Sequence, residues 1–186
     1  MTDLTDEVAV RRAAEGDQEA FAVLYERYVT RIYNYIYYRT GSAHDAEDLT
    51  ARVFFRAMSN MKNYRDRGAP FSAWLYRIAH NLVANWYRDN SRRKEVALED
   101  YLQLPERSAH PETALVRDQE MERLLHLIRK QPSERQHLLI LKFVERLSNA
   151  EIAVIMGRSE GAIKSLYHRT LNSLRDSLEK SGGEPL

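Results

Sequence analysis

Lys164, Ser165 and His168 fall at spacings of one, three and four residues. A helix through them would carry three hydrogen-bonding side chains on one ridge, because residues three and four apart adjoin. Glu160 and Arg169 extend that ridge. An ammonium, a hydroxyl and an imidazole side by side suit the groups exposed in a duplex groove, where a lysine can pair with guanine O6 and N7. They do not suit covalent catalysis. The chain has no cysteine, and neither a phosphate-cradling glycine loop nor a nucleophile elbow can be found. Glu134 and His137 form one E-x-x-H, the spacing of di-iron helix bundles. Such a site needs a second copy and further glutamates on facing helices. No second copy exists here, so His137 is expected to face solvent or cap a contact. His44, His80, His110 and His126 show no metal-ligand spacing. No catalytic residue, metal or cofactor is expected, and the chain is not read as an enzyme.

The elements that position the ridge are legible in "SNAEIAVIMGRSEGAIKSLYHR", residues 148–169. Ser148 can cap a first helix with Ile152, Ile155 and Met156 inward. Gly157 supplies the positive φ that ends it and turns the chain. Ser159 caps a second helix that buries Ile163, Leu166 or Tyr167, Thr170, Leu171, Leu174 and Leu178. Two short helices on a tight elbow form the helix-turn-helix pattern, whose second helix enters the DNA major groove. The helix starts at 148 and 159 also offer free N–H groups to phosphates. The competing reading is a bundle corner with a solvated polar face.

Further upstream the chain reads as helical nearly throughout. One stripe, Phe21, Leu24, Tyr25, Tyr28, Ile32 and Ile36, predicts a helix over 18–39. Ser42 with Asp45 fits a capping box before a second stripe of Ala46, Leu49, Val53, Phe54, Ala57, Met58 and Met61. "NYRDRGAP" interrupts, and a helix over about 72–90 turns Leu75, Ile78, Ala79, Leu82 and Trp86 inward. A stretch with weak periodicity and two prolines follows. A second helical unit starts near Pro111, well placed in a first turn, with Leu115, Met121, Leu125 and Ile128. Ser133 opens the next helix, "SERQHLLILKFVERL". The fold class is all-α: two small helical domains, 1–93 and 116–180, joined by a flexible linker over 94–115, with a tail over 181–186.

Charge follows this division. Residues 62–93 hold seven basic side chains against two acidic, 94–120 three against seven, and 158–180 five against three. Two basic blocks flanking an acidic middle suggest two contact surfaces and a segment of a different kind. Across 186 residues, 30% are charged and 44% hydrophobic, ordinary for a chain with a buried core. No apolar run approaches the ~20 residues of a membrane span, and no signal peptide is evident. The cytoplasm is the expected location, without membrane insertion.

Three stretches in order resemble sigma-70 type initiation factors of bacterial RNA polymerase, specifically the extracytoplasmic function (ECF) group. "DAEDLTARVFFRA" at 45–57 is similar to region 2.2, "FSAWLYRIAHNLVANWYRDNSRR" at 71–93 to the part that meets the −10 element, and "SERQHLLILKFVERLSNAEIAVIMGRSEGAIKSLYHRTLNSLR" to region 4, which reads the −35 element. The resemblance covers roughly residues 18–178. It implies core polymerase (its β′ and β subunits) and promoter DNA as partners, and family members are often held by an anti-sigma factor.

By the resemblance, Asp45, Glu47, Asp48, Arg52 and Phe55 face the β′ coiled coil. Asn63, Tyr64, Arg65, Asp66 and Arg67 form the loop that captures a flipped −10 base, a task suited to their hydrogen-bonding and stacking groups. Trp74, Arg77, Asn81 and Arg88 continue that track along the following helix, where stacking and cations suit single-stranded DNA. Ser159, Glu160, Lys164, Ser165, His168 and Arg169 face the −35 duplex. The chain departs from the family at Ala51 and Arg52, where a glutamine and a glutamate are common, and at Ala162 and Leu166, where a threonine and an arginine are usual; the latter removes a habitual base contact. Negative charge in the linker could imitate RNA in the polymerase channels. The rival functions are a LuxR-type DNA-binding regulator and a sigma-like interaction protein that does not itself drive initiation.

Overall fold

The computed structural model describes residues 4–65, 68–97 and 124–181, and every regular element among them is helical. The N-terminal unit is built on α2 (Gln18–Thr40), α3 (Ala43–Asn60) and α4 (Phe71–Ala97), with a single 3-10 turn, Met61–Asn63, after α3. Asp17 caps α2 by accepting from the Ala20 N–H at 3.1 Å, and that bond, with the Arg12 guanidinium beside it, holds its carboxyl below the usual range. Gly41 ends α2 in the left-handed region, φ 71°, with its N–H on the Tyr37 carbonyl. Ser42 then caps α3 through Asp45 N–H at 3.2 Å. Only this half of the expected capping box is seen. The Ser42 N–H instead donates to Thr40 Oγ1.

Leu24, Ile32 and Ile36 of α2 meet Leu49, Val53 and Phe54 of α3 and Leu75, Ala79, Leu82 and Val83 of α4 in one core. Full burial of each large aliphatic contributes about 1.5–3 kcal/mol. Two stripe members are not in it: Tyr25 and Met58 are exposed. Each lies at the edge of its helical stripe, where the apolar arc outruns the neighbouring helix. Phe21, Ile78 and Trp86 are partly buried against the core.

A short helix not foreseen, α1 (Asp6–Ala14), lies on α2. It lays Ala9 and Ala13 on its neighbour and is tied down by Asp6, which pairs with Arg27 at 2.7 Å and accepts from the Tyr28 hydroxyl. Burial, then Asp6, pushes that phenol far up, so it stays a donor. Asp6 and Glu7 at its start and Arg11 and Arg12 at its end match the helix dipole.

The C-terminal unit comprises α5, described over 124–129, α6 (Ser133–Leu139), α7 (Asn149–Met156) and α8 (Glu160–Ser181). The α6 spiral widens into a π turn, Ile140–Val144, with Glu145 N–H on the Ile140 carbonyl. Arg146 then takes φ 54°, and Leu147 N–H returns to the Leu141 carbonyl. Leu138 to Leu141, Ile152, Ile155, Ile163, Leu166 and Thr170 are buried, as are Leu125 and Ile128. Leu178 is exposed, because α8 runs past the unit it packs on. Leu115 and Met121, expected inward, and most of the linker lie outside the described residues, and α4 continues four residues beyond the expected boundary at 93.

The two units touch. α7 packs on α4 and the π turn on α2. Arg31 Nε meets a Glu145 carboxylate oxygen at 2.9 Å, and Arg129 Nε donates to the Tyr38 carbonyl at 3.1 Å. This contact corrects two expectations. Ser133 does not cap α6; its hydroxyl accepts from Arg39 of α2 at 2.6 Å. His137 does not face solvent but is buried against Tyr35.

Candidate nucleic-acid interface

On the N-terminal unit, α3, the 3-10 turn and α4 enclose an open groove of about 450 Å³. Trp74, Arg77, Asn81 and Arg88 repeat at intervals of three, four and seven residues, which keeps them on one side of α4. The first three line the groove together with Asn63, Tyr64 and Arg65. Arg88 does not. It lies two turns further along, exposed, and donates to Asn85 at 2.5 Å. Asp66 and Arg67 lie outside the described residues.

Two aromatic rings, Tyr64 and Trp74, stand in the groove's wall, with Phe71 behind them. Tyr64 and Trp74 have centroids 4.9 Å apart, Phe71 and Trp74 5.6 Å, and Tyr64 and Phe71 5.7 Å. Phe71 is the buried member and anchors the other two. Trp74 therefore does both things its type allows: one part packs on the core and the rest borders the groove. Arg65 donates to the carbonyls of Lys62 and Tyr64, which holds its guanidinium over the turn. Arg56 and Asn60 of α3 also line the groove and are absent from the residues expected there. Their i, i+4 spacing on the outer face of α3 was the available signal, but it appeared as the polar side of an amphipathic helix. The groove is thus ringed by Arg56, Arg65 and Arg77 around stacking surfaces, a combination that fits an unpaired base on a phosphate backbone.

On the C-terminal unit the elbow is fixed at both ends. Ser148 and Glu151 form a complete capping box: Ser148 Oγ accepts from Glu151 N–H at 3.2 Å, and the Glu151 carboxylate accepts from Ser148 N–H at 2.8 Å. The Ser148 N–H, then the Ser148 hydroxyl, which also donates to that carboxylate at 2.8 Å, hold the Glu151 carboxyl below its usual range. Gly157 takes φ 64°. Ser159 accepts from Ala162 N–H at 3.2 Å, and Arg158 pairs with Glu134, tying the elbow to α6. Glu160, Lys164, Ser165, His168 and Arg169 all lie exposed along α8. Lys164 stands 3.9 Å from Glu160, a surface pair weak enough to exchange for a phosphate or base. Leu166, open against Tyr167 in the sequence, is the buried one. It faces the core, so the missing arginine at this position removes no group from the exposed ridge.

The third candidate surface lies on α3. Glu47, Asp48, Arg52 and Phe55 are exposed; Asp45 is half-buried at the helix start. Phe55 is 66% exposed; Met58, three residues on, and Tyr25 of α2, whose ring meets Phe54, are exposed as well. Asp48 and Arg52 form an i, i+4 pair at 3.8 Å, so the reversed charge at Arg52 is partly neutralised within the helix. Glu47 also borders a groove between α2 and α3 lined by Tyr25, Val29 and Tyr33. Among the described residues no cluster of His, Asp or Glu could hold a metal.

Known proteins arrange these parts alike. Residues 24–93 match the family sigma-70 region 2, and residues 121–174 match sigma-70, region 4. The chain is 38% identical over 165 residues to the ECF RNA polymerase sigma factor BldN of Streptomyces coelicolor, covering 89% of this chain and 62% of that protein. It is 32% identical over 177 residues to the ECF RNA polymerase sigma factor SigW of Bacillus subtilis, covering 91% of this chain and 94% of that one. Its fold is similar to that of CnrH, solved in complex with the cytosolic domain of CnrY, with a TM-score of 0.71 at 21% identity over 94% of this chain and 97% of that one. It is also similar to the sigma factor RpoE of Bartonella quintana, solved with the anti-sigma factor NepR, with a TM-score of 0.63 at 19% identity over 86% and 96%. The chain belongs to the ECF group of the sigma-70 family of RNA polymerase sigma factors.

Proposed function

We propose that this chain binds core RNA polymerase and directs it to promoters by reading a −35 element as duplex and holding a −10 element as opened strand. The observation that carries the reading is the division of labour between two surfaces. One is an aromatic groove ringed by arginines, suited to unpaired bases; the other is an exposed ridge on a capped helix, suited to a major groove. The units 1–93 and 116–180 act as separate modules, with 94–115 between them. Asn63, Tyr64, Arg65, Asp66, Arg67, Trp74, Arg77, Asn81 and Arg88 serve the opened strand; Ser159, Glu160, Lys164, Ser165, His168 and Arg169 serve the duplex. Asp45, Glu47, Asp48, Arg52 and Phe55 meet the polymerase β′ subunit, with Phe55 as the apolar anchor, since large exposed aromatics concentrate binding energy at interfaces. The chemistry of RNA synthesis stays with the polymerase, and the factor acts by placement, not as an enzyme.

Such a partner places the factor in the cytoplasm. No helix among the described residues is long and apolar enough to cross a membrane. An anti-sigma protein is a further partner, by analogy with the NepR complex. Run-off transcription with purified core polymerase on a pool of random promoters tests the reading. Factor-dependent starts sharing two spaced elements support it. Starts that do not depend on the factor, with no association between factor and core, refute it and leave the sigma-like interaction protein as the better reading. A LuxR-type regulator has lost its ground, because the helical front half matches sigma-70 region 2.

A further inference from the structure

The contact between the two units has at its centre a buried cation with three partners on three helices. Arg39 of α2 is fully buried. Its Nη1 donates to Tyr35 Oη at 2.8 Å and lies 2.9 Å from His80 Nδ1 of α4; its Nη2 donates to Ser133 Oγ of α6 at 2.6 Å. Tyr35 Oη in turn lies 2.6 Å from His137 Nδ1 of α6. The rings of His80 and His137 have centroids 4.3 Å apart. An arginine only donates, so His80 Nδ1 must accept from it. Tyr35 Oη accepts from Arg39, and with its own proton turned to His137 Nδ1 that buried hydroxyl is fully used. In that arrangement both imidazoles are acceptors.

We propose that this cluster is a proton-sensitive clasp: Arg39, His80 and His137 hold the two units together while both imidazoles are neutral, and protonation of the two rings releases the C-terminal unit. The inference rests on the two-unit organisation and not on which bases either unit reads. A proton on His80 Nδ1 would point at the Arg39 guanidinium. Protonation of both rings would set three cations in one buried space.

Among the described residues, the groups facing the rings supply no compensating anion. From α2 they are Tyr35 and Arg39; from α4, Tyr76, which stacks edge-on to Tyr35, and Tyr87, whose hydroxyl donates to the Arg39 carbonyl. From the C-terminal unit they are Ser133, Gln136, which donates to the carbonyls of Arg129 and Gln131, and Arg129 itself, whose charge reaches Tyr87. Burial pushes the phenols of Tyr35, Tyr76 and Tyr87 upward, so they do not ionise in the working range. Burial, then Arg39, lowers His80 to about 4; burial, then His80 and Arg39, holds His137 well below the ordinary value.

With the units apart, His137 meets water and returns to about 6.5; His80 loses its cover and rises toward that value, less far because Arg39 of its own unit stays beside it. The open form then binds more protons than the closed one. Closure is fully present above about pH 6.5 and is lost as pH falls below it, at most about tenfold per ring per unit. From pH 7.5 to pH 5.5 His137 changes the closed-to-open ratio about 10-fold and His80 by less, so the two together change it by more than about 10-fold and at most about 100-fold. In the closed form the −10 groove and the −35 ridge are both open to solvent. Release therefore changes the separation they can span, not their accessibility.

The chain contains no cysteine, so Glu26→Cys and Asp176→Cys, both at exposed positions, give one dye on each unit of the full chain. Energy transfer is read between pH 7.5 and pH 5.5 beside far-UV circular dichroism. The expected result is a shift to longer distance worth more than about 10-fold and at most about 100-fold in the closed-to-open ratio, at constant helicity. The double variant His80→Gln with His137→Gln should be flat, and His80→Gln alone should retain about 10-fold. Glu145 also crosses the interface, on Arg31, and the double variant separates histidine protonation from any carboxylate response. If the double variant does not fold, His80→Gln decides: a full 100-fold response there overturns the clasp. So does constant transfer in the parent, a double variant that responds like the parent, or a shift that follows loss of helix.

Discussion

Replacing Trp74 with alanine separates what this side chain does for the fold from what it does for DNA. Trp74 is half-buried and touches Tyr64 and Phe71 at centroid distances of 4.9 and 5.6 Å. Each aromatic pair contributes about 0.5–1.5 kcal/mol beyond area, so losing two costs about 1–3 kcal/mol of stability. In a chain of this size each kcal/mol lowers Tm by roughly 2–4 °C. The part bordering the groove is an independent quantity. Stacking on one base is worth ~1–3 kcal/mol, or about 5- to 150-fold in Kd. The assay is binding of holoenzyme to a single-stranded −10 oligonucleotide, at a temperature well below both midpoints, with Trp74→Phe in parallel. Phenylalanine keeps a stacking face and should recover most of the affinity. Alanine should lose it without changing affinity for a −35 duplex. The reasoning is refuted if Trp74→Ala lowers Tm but leaves single-strand affinity intact, for then the ring is only a wall of the core.

Lys164→Ala should weaken −35 duplex binding by ~1–3 kcal/mol in a mobility-shift titration; equal weakening on every sequence would mean that it touches phosphate alone. Phe55→Ala should weaken association with core polymerase at least 5-fold, by ~1 kcal/mol or more, yet leave Tm unchanged within a degree or so, because the ring is 66% exposed. Ser148→Ala removes the acceptor for Glu151 N–H and should cost ~1 kcal/mol, seen as a Tm lower by roughly 2–4 °C. Calorimetry of the full chain at pH 7 measures it, and an unchanged midpoint would mean that the box adds nothing to the fold.

The sequence revealed most where local chemistry decides the structure. Ser148, Gly157 and Ser159 act at once on their own backbone neighbours, so their types alone located the elbow. The stripe of Leu24, Ile32 and Ile36 likewise located α2, since burial on a helix has a fixed period. The exposed ridge followed from the buried one. What failed was whatever depends on a distant partner. α1 went unread because it is short and is held by Asp6 reaching Arg27 and Tyr28, more than twenty residues on. Arg56 and Asn60 read as a solvated face because only the packing of α3 on α4 shows that they border a groove. Ser133 and His137 take neither the cap nor the solvent that polar residues usually find, and their partners Arg39 and Tyr35 lie 94 and 102 residues away, beyond any local pattern.

The composition of that long-range contact bears on how the protein works. Apolar packing continues from one unit to the other, yet the hydrogen bonds that join them end on groups water can also satisfy: the guanidinium groups of Arg31, Arg39 and Arg129, the His137 imidazole, the Tyr35 and Ser133 hydroxyls, the Glu145 carboxylate and the Tyr38 carbonyl. Opening such a contact exchanges protein partners for water, so each bond resists separation by only about 0.5–1.5 kcal/mol net. A purely apolar seam of equal area would return nothing on opening. The polar centre also confers register, because Arg39, held by Tyr35 and His80 of its own unit, can reach Ser133 of the other in only one placement. An interface that is specific when closed and inexpensive to open is what a two-module factor requires if it is to rest folded on itself and still stretch along a promoter. The Arg39 side chain, whose Nε remains without a hydrogen bond while buried, shows the compromise directly: fit between the units is kept at the expense of full satisfaction, and the unmet donor leaves closure less stable than it could be.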